Sequence, residues 1–351
     1  MLACAVCGET YADRWRCRCG GPLDFVAQPT PNGNPAVDAR RGLWAFESFL
    51  PTGPAVTLGE GFTPLTPSEM WDCSFKLEYV SPTGSFKDRG ATVTLSRAVE
   101  LGVDRVLEDS SGNAGAAIAT YAARAGLDAR IYVPASAKPA KLRAIERTGA
   151  DVRRVEGPRA AVTDACTAAV EADDGWYASH AWNPAFYAGT ATFAYELAAQ
   201  RDWTVPDAVV VPVGHGTLLL GAYRGFRALR AAGWIDEMPR LLAAQAEGYA
   251  PVVERLGRTA EGQNDLADGI QIRDPARLEQ VVTAVEQTGG AALAVSAATV
   301  ESTLDRLHEQ GFYTEPTCAV APAALEQFRE HGVISPEEDV VVPLTGSGLK
   351  S

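Results

Sequence analysis

The sequence predicts an α/β protein with two doubly wound, open-sheet domains behind a small cysteine-rich module, and three observations carry that reading. Between Phe75 and Val213, short apolar runs alternate with stretches of helical period, the pattern of parallel strands joined by crossover helices. A second series of such runs follows from Leu241 to Leu344. Ahead of both, Cys4, Cys7, Cys17 and Cys19 crowd into a segment too short to bury a core of its own.

Taken in order, strands are expected at Phe75 to Glu78, Val106 to Glu108, Ala129 to Val133, Val152 to Val155 and Ala208 to Pro212, each a short apolar run bounded by polar or turn residues. Helices are expected between them at Asp88 to Leu101, Gly115 to Ala125, Pro139 to Arg147, Arg159 to Glu171 and Gly189 to Gln200. Leu241 to Ala246, Ala291 to Val295, Ala297 to Gln310, Ala319 to Glu330 and Val340 to Leu344 complete the second sheet domain. Gln28 to Asn34 reads as a Pro/Gly/Asn linker.

Composition narrows the function classes. A chain of 351 residues with 46% hydrophobic content fills two cores. No run of about 18 apolar residues occurs, so no membrane-spanning helix is expected. A net charge of −13 and a pI near 4.9 argue against nucleic acid or an anionic membrane surface as a partner. Few lysines beside abundant Asp, Glu and Ala fit a high-salt cytoplasm, or simple codon bias.

Lys87 is one of five lysines against 26 arginines. It ends a Pro/Gly turn, Ser81-Pro82-Thr83-Gly84-Ser85-Phe86, at the mouth of an expected helix. An amine forms a Schiff base where a guanidinium cannot, so a lysine there is a candidate cofactor anchor; a solvated loop lysine is the plain alternative. Asp109-Ser110-Ser111-Gly112-Asn113-Ala114-Gly115 joins a strand to a small-residue helix, which makes it either an anion cradle or an ordinary Ser/Asn cap. Val213-Gly214-His215-Gly216-Thr217-Leu218 follows another buried strand and suits a phosphate at a helix start. A nicotinamide site would also want an acidic residue about 20 residues on, at the end of the next strand, and Glu247 comes late for it.

Cys4-x2-Cys7 and Cys17-x-Cys19, each pair followed by a glycine, have knuckle spacing. A tetrahedral zinc site is the natural reading, with two disulfides as the alternative in an oxidising compartment. No signal peptide precedes Cys4, so a reducing cytoplasm is expected. Cys73, Cys166 and Cys318 read as buried small hydrophobes.

In family order, these pieces resemble the pyridoxal-phosphate enzymes of the tryptophan synthase β type (fold type II), and within them the threonine synthase group. The resemblance runs through Gly59-Glu60-Gly61-Phe62-Thr63-Pro64-Leu65, the Lys87 segment, the Ser-Gly-Asn turn, the Gly214 to Gly221 loop and Leu344-Thr345-Gly346-Ser347-Gly348. It implies a cofactor cleft between the two domains, with Lys87 as covalent anchor and proton shuttle. Phe86 would border the cofactor and Asn113 would meet its phenolic oxygen. Gly214, His215, Gly216, Thr217 and Leu218 would hold its phosphate. Thr345 would face the pyridine nitrogen, a neutral contact that favours elimination and replacement over transamination. Ser111, Gly112 and Ala114 would hold the substrate carboxylate.

Archaeal-type threonine synthases resemble the chain at its start too, where a ribbon often precedes the body. The expected layout is therefore a zinc-ribbon-like module at 1–27, a large cofactor domain at 28–87 and 180–351, and a small substrate domain at 88–179. A homodimer in amino-acid biosynthesis is implied, with a small amino acid as substrate.

One segment departs from the threonine synthase pattern. After Asn183-Pro184, where many such enzymes read Tyr-Arg and then Glu-Gly-Gln-Lys-Thr, this chain has Ala185-Phe186-Tyr187-Ala188-Gly189-Thr190-Ala191-Thr192. A missing guanidinium removes a charge-assisted phosphate contact worth about 1.5–3 kcal/mol. Arg89, Lys141 and Arg143 are the candidate replacements. The leading reading is a lyase that converts O-phosphohomoserine or a related amino acid. The alternatives are a serine/threonine dehydratase or β-replacement (cysteate synthase-like) enzyme, and a catalytically silent protein that binds pyridoxal phosphate or zinc.

Overall fold

The computed structural model describes residues 1–30, 36–137 and 139–350, without the side chains of Ala140 and Lys141. Pro31 to Asn34 of the expected linker lie outside the described residues. The chain divides into two compact units. The first holds residues 38–60 and 87–190 together with the N-terminal segment, and the second holds 61–86 and the chain from Ala191 on. The expected small domain, 88–179, falls within the first unit, where 38–60 joins it.

The first unit is built on a parallel sheet in the order Asp151–Val155, Asp128–Pro134, Arg105–Glu108, Trp176–Tyr177. Alternation along the strands decides which helices cover which face. Val106, Ile131 and Val133 pack with Ala91 and Leu95 of helix Lys87–Glu100 and with Ala117, Ile118 and Tyr121 of helix Asn113–Ala125. Their neighbours Leu107 and Tyr132 point the other way, onto Val162 and Cys166 of helix Arg159–Glu171. Fully burying each such aliphatic side chain contributes about 1.5–3 kcal/mol, and helices on both faces make the sheet doubly wound. At the start of the chain, Leu2–Cys4 pairs antiparallel with Thr10–Tyr11 and Leu23–Phe25.

The second unit has six strands in the order Ala292–Val295, Arg240–Ala246, Ala208–Pro212, Val340–Pro343, Cys73–Lys76, Leu65–Ser68. All pair parallel except the last, an antiparallel edge strand. Val210, Leu242, Val340 and Val342 pack on Ala319 to Phe328 of helix Pro316–Glu330. Their neighbours Val209, Val211 and Leu241 are equally buried, so both faces are covered, as a parallel sheet requires. Helices Thr217–Ala231 and Leu278–Gln287 belong to this unit.

Helix Pro184–Gln200 starts five residues before the expected Gly189. Asn183 explains the early start: its side-chain oxygen accepts from the Ala185 N–H at 3.0 Å, and Pro184 supplies a pre-set first turn. Helix Leu278–Gln287 and edge strand Leu65–Ser68 were not expected from the pattern. Among the described residues, no helix is long and apolar enough to cross a membrane.

Candidate active site

Lys87 is the first residue of helix Lys87–Glu100, as the Pro/Gly turn before it predicts. Gly84 turns the chain with φ of +77°, and its N–H closes on the Ser81 carbonyl at 2.7 Å. The segment leading into the lysine is zipped to the C-terminal segment of the second unit: Phe86 N–H donates to Thr345 O at 3.0 Å, and Ser347 N–H to Gly84 O at 2.9 Å. Thr345 is thus joined to Phe86 through the backbone. Its hydroxyl is 3.5 Å from Cys318 Sγ, which also accepts from Gly346 N–H at 3.1 Å. Cys318 is buried as expected and, beyond filling space, fixes this segment.

In the same unit, strand Ala208–Pro212 runs into Gly214, His215 and Gly216 before helix Thr217–Ala231. Gly216 is sterically required, and Gly214 sits in a tight space. A Cβ on Gly214 would lie 3.0 Å from Ile270 Cα, and one on Gly216, where φ is +75°, would lie 2.4 Å from Val281. The cap residue of this helix is Gly216 itself, and Thr217 and Leu218 form the first turn, where the positive end of the helix dipole lies.

The first unit holds the other turn. Strand Arg105–Glu108 delivers Asp109 to Ser111, and Gly112 caps helix Asn113–Ala125 without a side-chain bond of its own. Gly115 permits the tight return, since a Cβ there would sit 1.8 Å from the Ser110 carbonyl oxygen. Gly112 faces open space, with Ser110 Oγ the nearest neighbour of a Cβ at 3.8 Å. Asp109 anchors the base of this turn. It accepts from Arg159 Nη1 and Nη2 at 3.1 Å each, from Thr163 at 2.6 Å and from Tyr177 at 2.9 Å. Burial alone would raise its carboxyl, but the Arg159 charge and these hydrogen bonds outweigh burial and hold it below the usual range.

Residues 56–346 match the sequence model of the family described as "Pyridoxal-phosphate dependent enzyme". The chain belongs to this family of pyridoxal-phosphate-dependent enzymes. The threonine synthase of Methanocaldococcus jannaschii is 32% identical to it over 376 residues, covering 100% of this chain and 93% of that protein. Among solved structures, a pyridoxal 5'-phosphate-dependent aspartate racemase superposes with a TM-score of 0.70 at 24% identity, covering 81% of this chain and 90% of the racemase. A threonine deaminase from T.th. gives 0.66 at 27% identity, over 81% of this chain and 92% of the deaminase. The chain is thus a pyridoxal-phosphate-dependent lyase akin to threonine synthases. A lysine at a helix mouth, and in each unit a helix start led by glycine, suit the chemistry of an anionic aldehyde cofactor.

This pyridoxal-phosphate enzyme also carries features that the sequence did not reveal. Glu60 is buried and accepts from Trp44 Nε1 at 3.1 Å, the Leu58 N–H at 2.8 Å and the Tyr121 hydroxyl at 2.8 Å, so the Gly59-Glu60-Gly61 motif is a structural anchor in the first unit. Phe186, in the segment expected to depart from the threonine synthase pattern, is fully buried; a Cβ on Gly90 would be 2.4 Å from its ring. Of the three candidate replacements, Arg89 is buried, Arg143 is exposed, and the Lys141 side chain lies outside the described residues. Arg159, paired with Asp109 at the base of the Ser110 to Gly112 turn, was not foreseen from the sequence.

The four N-terminal cysteines come together, their sulfurs all within 4.8 Å of one another. Cys4 and Cys19 are 3.5 Å apart, as are Cys7 and Cys17, with no disulfide among them. A tetrahedral zinc site with Zn–S bonds of about 2.3 Å needs sulfurs about 3.8 Å apart. Gly8 and Gly20, with φ of +76° and +88°, make the knuckle turns. The Tyr11 hydroxyl lies 3.3 Å from Cys17 Sγ, and that hydrogen bond leads in lowering the thiol to about 6, which favours the ligating thiolate.

Proposed function

We propose that this enzyme removes a leaving group from the side chain of a small amino acid by elimination and replacement, in the manner of a threonine synthase, with O-phosphohomoserine as the first substrate to test. The observation that carries the reading is Lys87 at its helix mouth, in the same compact unit as the Ser111 to Ala114 turn, in a chain akin to a threonine synthase along its whole length.

When bound, pyridoxal phosphate supplies an electron sink for charge developing on the substrate α-carbon. Lys87 Nζ would hold the cofactor and, as a free amine once the substrate amine replaces it there, would take and return a proton at the substrate carbons. Ser111, Gly112 and Ala114 hold the substrate carboxylate through the turn. Asn113 orients the cofactor, and backbone donors of Gly214, His215, Gly216, Thr217 and Leu218 hold its phosphate. Thr345 would offer the ring nitrogen an uncharged hydroxyl, which would limit the sink and favour elimination. Cys4, Cys7, Cys17 and Cys19 hold a structural Zn(II). A homodimer in the cytoplasm completes the proposal.

Phe186 favours a second reading. An apolar ring in the place of the phosphate-binding guanidinium suits a hydroxyamino acid that loses water, as in a dehydratase, or a β-replacement. Incubation with phosphohomoserine, phosphoserine, threonine and serine separates the two. Phosphate release with threonine as product supports the first reading, and keto acid from an unphosphorylated substrate supports the second. No turnover of any of the four contradicts both.

A further inference from the structure

Glu108 and His180 form a buried pair to which the chemistry above gives no role. His180 Nδ1 is 2.6 Å from Glu108 Oε1, and the His180 backbone N–H donates to Oε2 at 3.3 Å. Phe186 links the pair to the helix that Lys87 opens. Its ring lies edge-on to His180, with centroids 6.1 Å apart, and also fills the space over Gly90, one helical turn beyond Lys87. The groups facing the pair are Lys87, Asp109, Arg159, Tyr177 and Cys166. Arg159 and the Tyr177 hydroxyl are both engaged with Asp109, and burial pushes the Cys166 thiol up. Burial, reinforced by Asp109, raises the Glu108 carboxyl well above its usual range. Burial, reinforced by the Lys87 charge, lowers His180 to about 3. At neutral pH the contact is therefore a hydrogen bond to a neutral imidazole, although its geometry alone would pass for an ion pair.

We propose that Glu108 and His180 are positioning residues for Lys87, setting the proton affinity of its nitrogen. The proposal rests on Lys87 being the cofactor-bearing lysine. When that nitrogen is uncharged, Glu108 keeps its proton and shares it with His180 Nδ1. When the nitrogen gains a proton, Glu108 passes its own to His180 Nδ1 while His180 Nε2 releases one to solvent, and the carboxylate offsets the new positive charge. His180 stabilises that carboxylate by donating from Nδ1, so the pair acts as one unit.

The pH titration of the holoenzyme's visible absorbance reads the proton on the cofactor-linked nitrogen and does not depend on turnover. Glu108→Gln removes the compensating anion and is expected to lower the midpoint by about one pH unit. His180→Leu leaves Glu108 without its donor and protonated throughout, so the midpoint moves the same way. His180→Asn, whose amide still donates, returns it toward wild type. A midpoint unmoved in both Glu108→Gln and His180→Leu overturns the proposal, and His180→Leu decides alone should Glu108→Gln fail to fold. A shifted midpoint in an enzyme that turns over no amino acid upholds the pair and rejects the lyase reading. Turnover with an unmoved midpoint does the reverse. Absence of the band in the wild type overturns the lysine assignment and this proposal together.

Discussion

The Tyr177 hydroxyl donates to Asp109 Oδ1 at 2.9 Å, tying strand Trp176–Tyr177 to the base of the turn that precedes Asn113. Arg159 and Thr163 take the other carboxylate oxygen, so Asp109 is buried yet fully partnered. The geometry of Ser110 to Gly112 therefore depends on one charged residue that itself sits outside the turn.

Asp109→Asn is expected to cost about 1–3 kcal/mol of stability at neutral pH, since it leaves Arg159 without its carboxylate. The pH sign follows from the depressed carboxyl. Its contribution is present above the unfolded value of about 3.9 and is lost as pH falls through the lower folded value. Glu108 has the opposite sign: its raised carboxyl contributes below about 4.3 and loses that contribution as pH rises through the folded value. Thermal unfolding from pH 2 to 8 should show a flatter acid limb for Asp109→Asn. Glu108→Gln should cost less than Asp109→Asn at pH 7, and the reverse order at that pH would contradict this assignment.

Gly216→Ala combines a left-handed backbone, which costs a residue with a side chain about 1–2 kcal/mol, with a Cβ 2.4 Å from Val281. The variant should be less stable and should lose cofactor on gel filtration at dilutions where the wild type retains it. Unchanged retention would show that this loop does not hold the phosphate.

Where burial alone dictates the pattern, the fold was legible. Strand Ala208–Pro212 and helix Arg159–Glu171 fall on their expected bounds because an unbroken apolar run and a clear helical period leave little choice. Strand Leu65–Ser68 was hidden by Pro67, which an edge position tolerates. Helix Leu278–Gln287 does carry apolar residues at Leu278, Val281, Val282 and Val285, a helical spacing that a neighbouring Gly/Asp/Pro-rich stretch obscured. Lys87, the Gly214 loop and the cysteine knuckles are local motifs, visible in the sequence as candidates. Glu108 and His180 are 72 residues apart, and no local spacing pairs them. Phe186 was visible as a missing arginine, but the space it fills over Gly90 was not.

Metal content should track the N-terminal module's contact with the first sheet. Trp15 Nε1 donates to Glu171 at 2.9 Å and its ring lies edge-on to Tyr177 and Trp182, while Trp176 Nε1 donates to Asp13 at 2.8 Å. Purified protein is expected to carry one zinc per chain by elemental analysis. Cys7→Ser or a strong chelator should remove it and change tryptophan fluorescence. A metal-free protein with native fluorescence would contradict a structural zinc.

Borohydride reduction of the holoenzyme, followed by peptide mapping, tests the assignment of the cofactor anchor most directly. The pyridoxyl group is expected on the peptide containing Lys87, and Lys87→Ala should lose both the label and the visible absorbance. Label on Lys76, Lys350 or any other residue, or a Lys87→Ala variant that keeps full turnover, would contradict it.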